Sequence, residues 1–449
     1  MEALDVIVVG GGISGVMAAV AAAKSGAKTL IVESQGYLGG TLTANGVGPM
    51  MTFHAGEKLA IQGLTNELIN RLRRIGKSPG HIFDTVGFTY SVTPFDAEAL
   101  KVELESMILE NGGQILYHTM LAEVHTKDQR VTEITVCNKS GLSKLAAKVF
   151  IDATGDADLS VRAGAAFTKG RESDGAMQPM TLKMKMINVD IAKVKAYIHA
   201  HPEDFPLYKG DTSIIEQAPR LSTAGFVSLF QKAKERGEIS IPREDILFFE
   251  TNTPGEVILN TTRILGHDGT DAWSLSRAET EGRKQCRELE RFVKKYIPGF
   301  ENAIVESTGP SVGVRGSRQI IGLYTLTAAD ILSQTAFEDT IAHSGYPIDI
   351  HNPDGEGTKH EKLEWGGMYS IPYRCLVTPS LDNVIVIGRC LSATFEAQAA
   401  VRTTPTTGAI GHAGGVAAAQ AALHNLHVQE VDVARVQQVL KEQGAYLEV

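Results

Sequence analysis

Residues 4–33, LDVIVVGGGISGVMAAVAAAKSGAKTLIVE, constrain the fold more tightly than any other stretch. Residues 5–9 form a short run that is apolar and β-branched after Asp5, the signature of a buried strand. Gly10, Gly12 and Gly15 follow with GxGxxG spacing. Residues 18–24 are Ala-rich and free of Gly and Pro, so they read as a helix opening at the glycines. Gly26 ends that helix, residues 29–32 form a second strand, and Glu33 sits at its tip. Each part suits a dinucleotide site. Gly10 permits the tight turn, Gly12 lets a diphosphate approach the backbone, and Gly15 lets helix and strand pack closely. The helix start offers free N–H groups and a positive dipole end. Glu33 can accept hydrogen bonds from ribose hydroxyls.

The chain of 449 residues is too long for one small core, so two domains or more are expected. A net charge of −9 argues against a nucleic-acid or anionic-membrane partner. No apolar run reaches the roughly 18 residues that span a bilayer, and no signal peptide is visible, so a cytoplasmic protein is expected. Cys137, Cys286, Cys375 and Cys390 lie far apart without a CxxC pair. A dithiol or iron–sulfur site lacks support, and no metal is expected.

After Glu33, the Gly-rich loop SQGYLGGTLTANGVGPMM leaves the strand tip and is expected to cross the nucleotide. Thr41 and Thr43 are candidate donors within it. Helices are predicted over 64–75 and 95–109, the second capped by Asp96. Strands are predicted over 114–124 and 130–137, joined by a turn at Lys127-Asp128-Gln129. Residues 149–151 form another buried strand, ending in Ala153-Thr154-Gly155-Asp156. Small residues there allow a second close approach to a ligand.

From 166 to 374 the pattern changes, and this block reads as a lobe inserted into the nucleotide domain. Met180, Leu182, Met184 and Met186 alternate with polar residues, as in a half-exposed strand whose methionines fill a core. Pro202, Pro206, Pro219, Pro242 and Pro254 keep the next elements short. Ser276 and Glu279 form a capping-box pair before a long helix closed by Pro298-Gly299. Arg315 and Arg318, three residues apart in GVRGSR, could share a face and bind a carboxylate, or pair with the protein's own acids. His351, Tyr373 and Arg374 form the pool for proton transfer. The chain then returns to the first domain with a strand ending at Gly388-Arg389. Pro405 precedes a Gly/Ala-rich helix over 408–423, whose positive end could face a flavin ring.

With these residues in view, the chain resembles the FAD-dependent oxidoreductases of the glutathione-reductase-like superfamily, and more closely the broad bacterial FAD-dependent oxidoreductase family. The motifs are VVGGGISGVMAA with Glu33, YLGGTLT, VFIDATGDAD, GVRGSRQIIG, GYPIDIH, YSIPYRCL and VIGRCLSATFEAQ. The first three are general to FAD folds and the last four specific to the family. The resemblance implies an α/β fold. A Rossmann-like FAD-binding domain, a parallel sheet with helices on both faces, would span 1–165 and 375–430. An α+β substrate or cap domain would span 166–374, and a C-terminal helix 431–449. FAD contacts are implied at Gly10, Gly12, Ile13, Ser14, Gly15, Glu33, Ser34, Gly39, Gly40 and Thr41. Further contacts are implied at Leu121, Ala153, Thr154, Gly155, Gly388, Arg389, Ala409 and Ile410. Three positions depart from the family pattern: Phe395 stands where His is frequent, Thr407 where Cys is common, and Gly316 where an acid is expected.

The implied activity is hydride transfer between a small organic substrate, carboxylate- or carbonyl-bearing, and flavin N5. Arg315 and Arg318 would orient it, and His351, Tyr373 or Arg374 would handle the proton. No second strand–GxGxxG–helix unit is present, so the electron partner stays open among a nicotinamide, dioxygen, a quinone or a protein. Two other readings are a flavin-containing RNA-modifying or RNA-binding protein, and a protein that holds FAD without turnover. The oligomeric state is open, with a homo-oligomer plausible.

Overall fold

The computed structural model describes residues 3–448. Its central sheet has five strands in the order Val384–Val386, Ala147–Asp152, Leu4–Val9, Thr29–Val32 and Gln114–Leu116. All four pairings are parallel. Val8 lies between Ile151 and Ile31, so the C-terminal ends of the three inner strands finish together. The chain leaves the first strand for neighbours on both sides, which opens a crevice at those ends.

The first strand is apolar from Val6 to Val9, where both of its faces are buried. Val6 and Val8 join one core with the helices, while Ile7 and Val9 join another. On the helical side, Ile13–Lys24 packs against Thr404–His424. A Cβ at Gly411 would lie 2.1 Å from the Ser14 carbonyl oxygen, and one at Gly415 2.2 Å from that of Ala18. The other side corrects the expectation of helices on both faces. Val131, Ile134, Val136 and Leu145 cover it from an antiparallel sheet of Met120–Lys127, Arg130–Asn138 and Gly141–Leu145.

That sheet also divides the strand predicted over 114–124. Gln114–Leu116 belongs to the parallel sheet, and His118, with φ 50, turns the chain into the antiparallel one. The helix Ala97–Glu110 starts as expected, with Asp96 accepting from the amides of Glu98 and Ala99.

A second core is built on five antiparallel strands in the order Ser222–Gly225, Ile246–Glu250, Val257–Leu259, Met184–Ile187 and Ile304–Thr308. Helix Ala272–Tyr296 packs on it through Ala278, Leu289, Phe292 and Val293. Asp271 caps this helix by accepting from the Ser274 amide. The expected Ser276–Glu279 box therefore lies inside the first turns, and Glu279 accepts from the Val312 amide instead. Met180, Leu182, Met184 and Met186 all enter the second core. The opposite face of that segment is not solvent, however, because Thr181 and Lys183 are buried too. Ile341, Ile348, Ile371 and Tyr373 pack in the first core, although the sequence reading assigns them to the second lobe. Among the described residues, no helix is long and apolar enough to cross a membrane.

The Thr404–His424 helix carries a fully buried His412, whose Nε2 donates to Gln443 Oε1 at 2.8 Å. Burial lowers its pKa from 6.5 to about 4. The unfolded chain therefore takes up a proton there that the folded chain refuses. Stability from this residue is intact above pH ~6.5 and falls as pH drops toward ~4, by about 3 kcal/mol in all. Denaturant titrations of wild type and His412→Asn across that range should show a shallower acid slope for the variant. Equal slopes would contradict the assignment.

Candidate active site

A cavity of about 610 Å³ opens at the C-terminal ends of the parallel strands, where Val9, Val32 and Ala153 form part of its wall. Thr181, Lys183, Phe249 and Asn260, from the second core's sheet and its approach, close the other side.

The glycine turn forms one end. Gly10 has φ +107, and a Cβ there would lie 2.4 Å from the Ala153 oxygen. A Cβ at Gly15 would lie 1.9 Å from the Gly10 oxygen, so Gly15 is a packing glycine and is not on the wall. Gly12 differs, since a Cβ there meets nothing closer than Gly40 Cα at 3.9 Å. It begins the Ile13–Lys24 helix without a side-chain cap, and Ile13 and Ser14 line the cavity beside it. Glu33 is held by its own surroundings. One oxygen accepts from the Gly11 amide at 2.6 Å, and the other from the Gln35 amide and the Ser34 hydroxyl. The second lone pair of the oxygen that accepts from Gly11 remains for a ribose hydroxyl.

The following loop folds back onto the turn. The Gly39 amide donates to the Gly11 oxygen at 2.9 Å, and a Cβ on Gly40 would lie 2.7 Å from Gly12 Cα. Gly40, Thr41 and Ser34 line the cavity, whereas Gly39 lies behind it. Thr43 does not serve as a donor to a ligand, because its hydroxyl donates to Leu38 O at 2.8 Å. Leu121, Thr154, Gly155, Gly388 and Arg389 complete this wall. Buried Asp152 shapes it by accepting from the amides and hydroxyls of Thr154 and Ser160. Arg389 lies over Gly155 and donates to Asp156 at 2.7 Å.

A second uncapped helix start faces the same space. Thr404–His424 begins one turn earlier than predicted, with Pro405 in its first turn and no side-chain cap at Thr403. Thr403, Thr404 and Thr407 are therefore the wall residues. Ala409 and Ile410 are not, because the earlier start carries them into the helix-packing region, where Ile410 is fully buried.

The inner end is cationic. Lys183, Arg315 and Arg402 line it, together with His351, Asp349 and Tyr346. Arg315 donates to Pro179 O. Arg402 donates to Asp349 O at 3.2 Å, while its Nε has no partner. Lys183 is only 6% exposed. Its amine has no hydrogen-bond or ion-pair partner among the described residues. Burial pushes it well below the ordinary lysine value, reinforced by Arg315, Arg243 and Arg402.

His351 Nδ1 lies 3.2 Å from Arg263 Nη2. A guanidinium only donates, so Nδ1 accepts and the ring proton of the neutral form sits on Nε2, 3.6 Å from Asp349 Oδ2. Burial, with Arg315 adding to it, holds His351 well below its ordinary value. Burial alone would raise Asp349, but His351, His360 and Arg402 outweigh it and hold the carboxyl well below the usual range.

Three candidates from the sequence lie elsewhere. Arg318 does not share a face with Arg315. It begins a strand paired with Phe167–Lys169 and stands 3.4 Å from Asp158. Tyr373 is buried and donates to Val428 O at 2.7 Å. Arg374 pairs with Asp339 through Nε at 3.0 Å. None of the three reaches the cavity, which removes Tyr373 and Arg374 from the proton-carrying pool. Conversely, Lys183, Arg402 and Asp349 line the cavity although the sequence does not mark them as candidates. Asp349 and Arg402 lie in quoted or neighbouring motifs without a local pattern to mark them. Lys183 alternates with core residues, which is also how a solvent-facing residue on a half-buried strand reads.

The residues fit FAD. Two uncapped helix starts face one elongated cavity, open space remains over Gly12, and Glu33 stands at the first end. Residues 5–440 match the family of FAD dependent oxidoreductases. The chain belongs to this family. Its cofactor is FAD, and it is an FAD-dependent oxidoreductase. No curated protein sequence matches it significantly. Among solved structures, it is similar to the geranylgeranyl bacteriochlorophyll reductase-like protein Ta0516 of Thermoplasma acidophilum. Identity is 14%, 99% of this chain and 85% of that one are covered, and the TM-score is 0.48. The flavin-dependent brominase Bmp2 shows 13% identity over 98% of this chain and 83% of its own, with a TM-score of 0.47. The L-proline dehydrogenase of P. horikoshii shows 12% identity over 99% and 100%, with a TM-score of 0.45.

Proposed function

We propose that this family member transfers a hydride between a small carboxylate-bearing substrate and the flavin. The observation that carries this reading is the cationic wall of Lys183, Arg315 and Arg402 in the cavity that also holds the glycine turn. When bound, FAD supplies N5 as the hydride acceptor or donor. Residues 166–374 are read as a substrate lobe inserted between the two parts of the FAD-binding domain. Arg315 orients the carboxylate through charge-assisted hydrogen bonds, strengthened by burial. His351 and Asp349 hold the proton, the imidazole carrying it on Nε2 beside the carboxylate. Phe249 and Tyr346 help to keep water from this end.

The reading is tested on the FAD-loaded protein without oxygen. Oxidised protein is mixed with 2-hydroxy and 2-amino carboxylates, and reduced protein with enoates and 2-keto carboxylates. Bleaching by the first set, or reoxidation by the second, is expected. A bound flavin that responds to neither set, yet is bleached by neutral alcohols or amines, would contradict the carboxylate reading.

A further inference from the structure

The inner end of the cavity holds more positive charge than the protein answers. Its one carboxylate, Asp349, is already engaged. It accepts from the Tyr346 hydroxyl at 3.0 Å, stands 3.2 Å from His360 and lies 3.7 Å from Arg402. The other carboxylates on the wall are also occupied. Glu33 is bonded by Gly11, Ser34 and Gln35, Asp156 by Arg389, and Asp158 lies beside Arg318. Lys183 is left without a partner on a wall it shares with Arg315 and Arg402.

Charging an amine that faces this cavity from a residue so deeply buried is costly unless a ligand supplies the opposite charge. One carboxylate held by the two arginines would leave Lys183 as bare as before. Building on the carboxylate reading above, we propose that the substrate is a dicarboxylate, with one carboxylate on Arg315 and Arg402 and the second on Lys183. Lys183 projects from the segment whose alternate residues, Leu182 and Met184, are fixed in the second core. It is therefore a rigidly mounted specificity determinant, and it sets the chain length that the cavity accepts.

The test compares succinate and glutarate with butyrate, in which a methyl replaces the second carboxylate. Binding to the FAD-loaded protein is read by calorimetry and by the difference spectrum of the bound flavin, so no turnover is needed. Wild type is expected to bind the better dicarboxylate on the order of 30-fold or more tighter than butyrate. Lys183→Met removes an unpartnered buried amine in favour of an apolar chain of similar length, so it is expected to fold. It should retain FAD, bind butyrate within about threefold of wild type, and lose the preference for the dicarboxylate. Equal binding of butyrate and both dicarboxylates by wild type, or binding of none of them, would overturn the proposal. So would a variant that keeps the preference, or one that loses FAD. These failures are distinct from failure of the redox reading, which is decided by flavin bleaching.

Discussion

Gly411→Val is expected to leave no stably folded protein. The Cβ itself, before any branching, would lie 2.1 Å from the Ser14 carbonyl oxygen and 2.7 Å from the Ser14 carbonyl carbon. Both are backbone atoms, so no side chain can swing away. One turn later Gly415 meets Ala18 O in the same manner, so the two helices touch along their backbones. Separating them would strip contacts from Val16, Ala413 and Ala417, all buried in the first core. A cost of roughly 4 kcal/mol or more is expected, a large part of the stability of an ordinary domain. Any molecule that did fold would carry displaced helix starts, and those starts line the FAD cavity. Thermal unfolding followed by circular dichroism checks this. A variant melting with wild type would contradict the helix contact described.

Gly12→Ala is expected to do the opposite, keeping the fold and losing the cofactor. Gly12 has φ −65 and ψ 173, extended backbone that alanine adopts freely. Nothing but Gly40 Cα, at 3.9 Å, stands near its new methyl. The apo protein should therefore melt within a few degrees of wild type. The methyl would nevertheless occupy the approach that a diphosphate needs, and FAD affinity should fall by about 100-fold or more. Together the two glycines separate packing from binding. A Gly12→Ala variant that holds FAD as wild type does would move the diphosphate away from this turn.

The strand, glycine turn and helix at the start of the chain are legible in sequence because each is encoded locally. Buried β-branched residues, an Ala-rich run and the two packing glycines, Gly10 and Gly15, all fall within residues 4–33. Asp96 is legible for the same reason, since a cap acts over a few residues. The Thr404–His424 helix starts one turn before the predicted residue 408 because Pro405 lies inside its first turn and not ahead of it. Pro405 is equally compatible with a position before the helix or within its first turn. The long helix on the second core starts ahead of the expected capping box because Asp271 and Ser276 both precede plausible first turns, and only the fold decides between them.

The site was legible at its nucleotide end and much less so at its inner end. Arg315 and Arg318 diverge because Arg318 joins a strand paired with residues far away in sequence. Tyr373 and Arg374 stand in a motif whose position depends on how the chain crosses back to the first core. Lys183 shows the limit most clearly. Alternation puts it opposite a buried face, but only the approach of the second core's sheet to the strand ends makes that side a cavity wall.

FAD is expected to span this one cavity, from Glu33 to the uncapped start of the Thr404–His424 helix. Titration of the apo protein with FAD, followed by quenching of flavin fluorescence and repeated with ADP and then riboflavin as competitors, tests it most directly. One FAD per chain is expected, with each half-molecule competing alone and more weakly than FAD. An apo protein that binds no FAD, or that binds FAD without competition from either half, would contradict the claim.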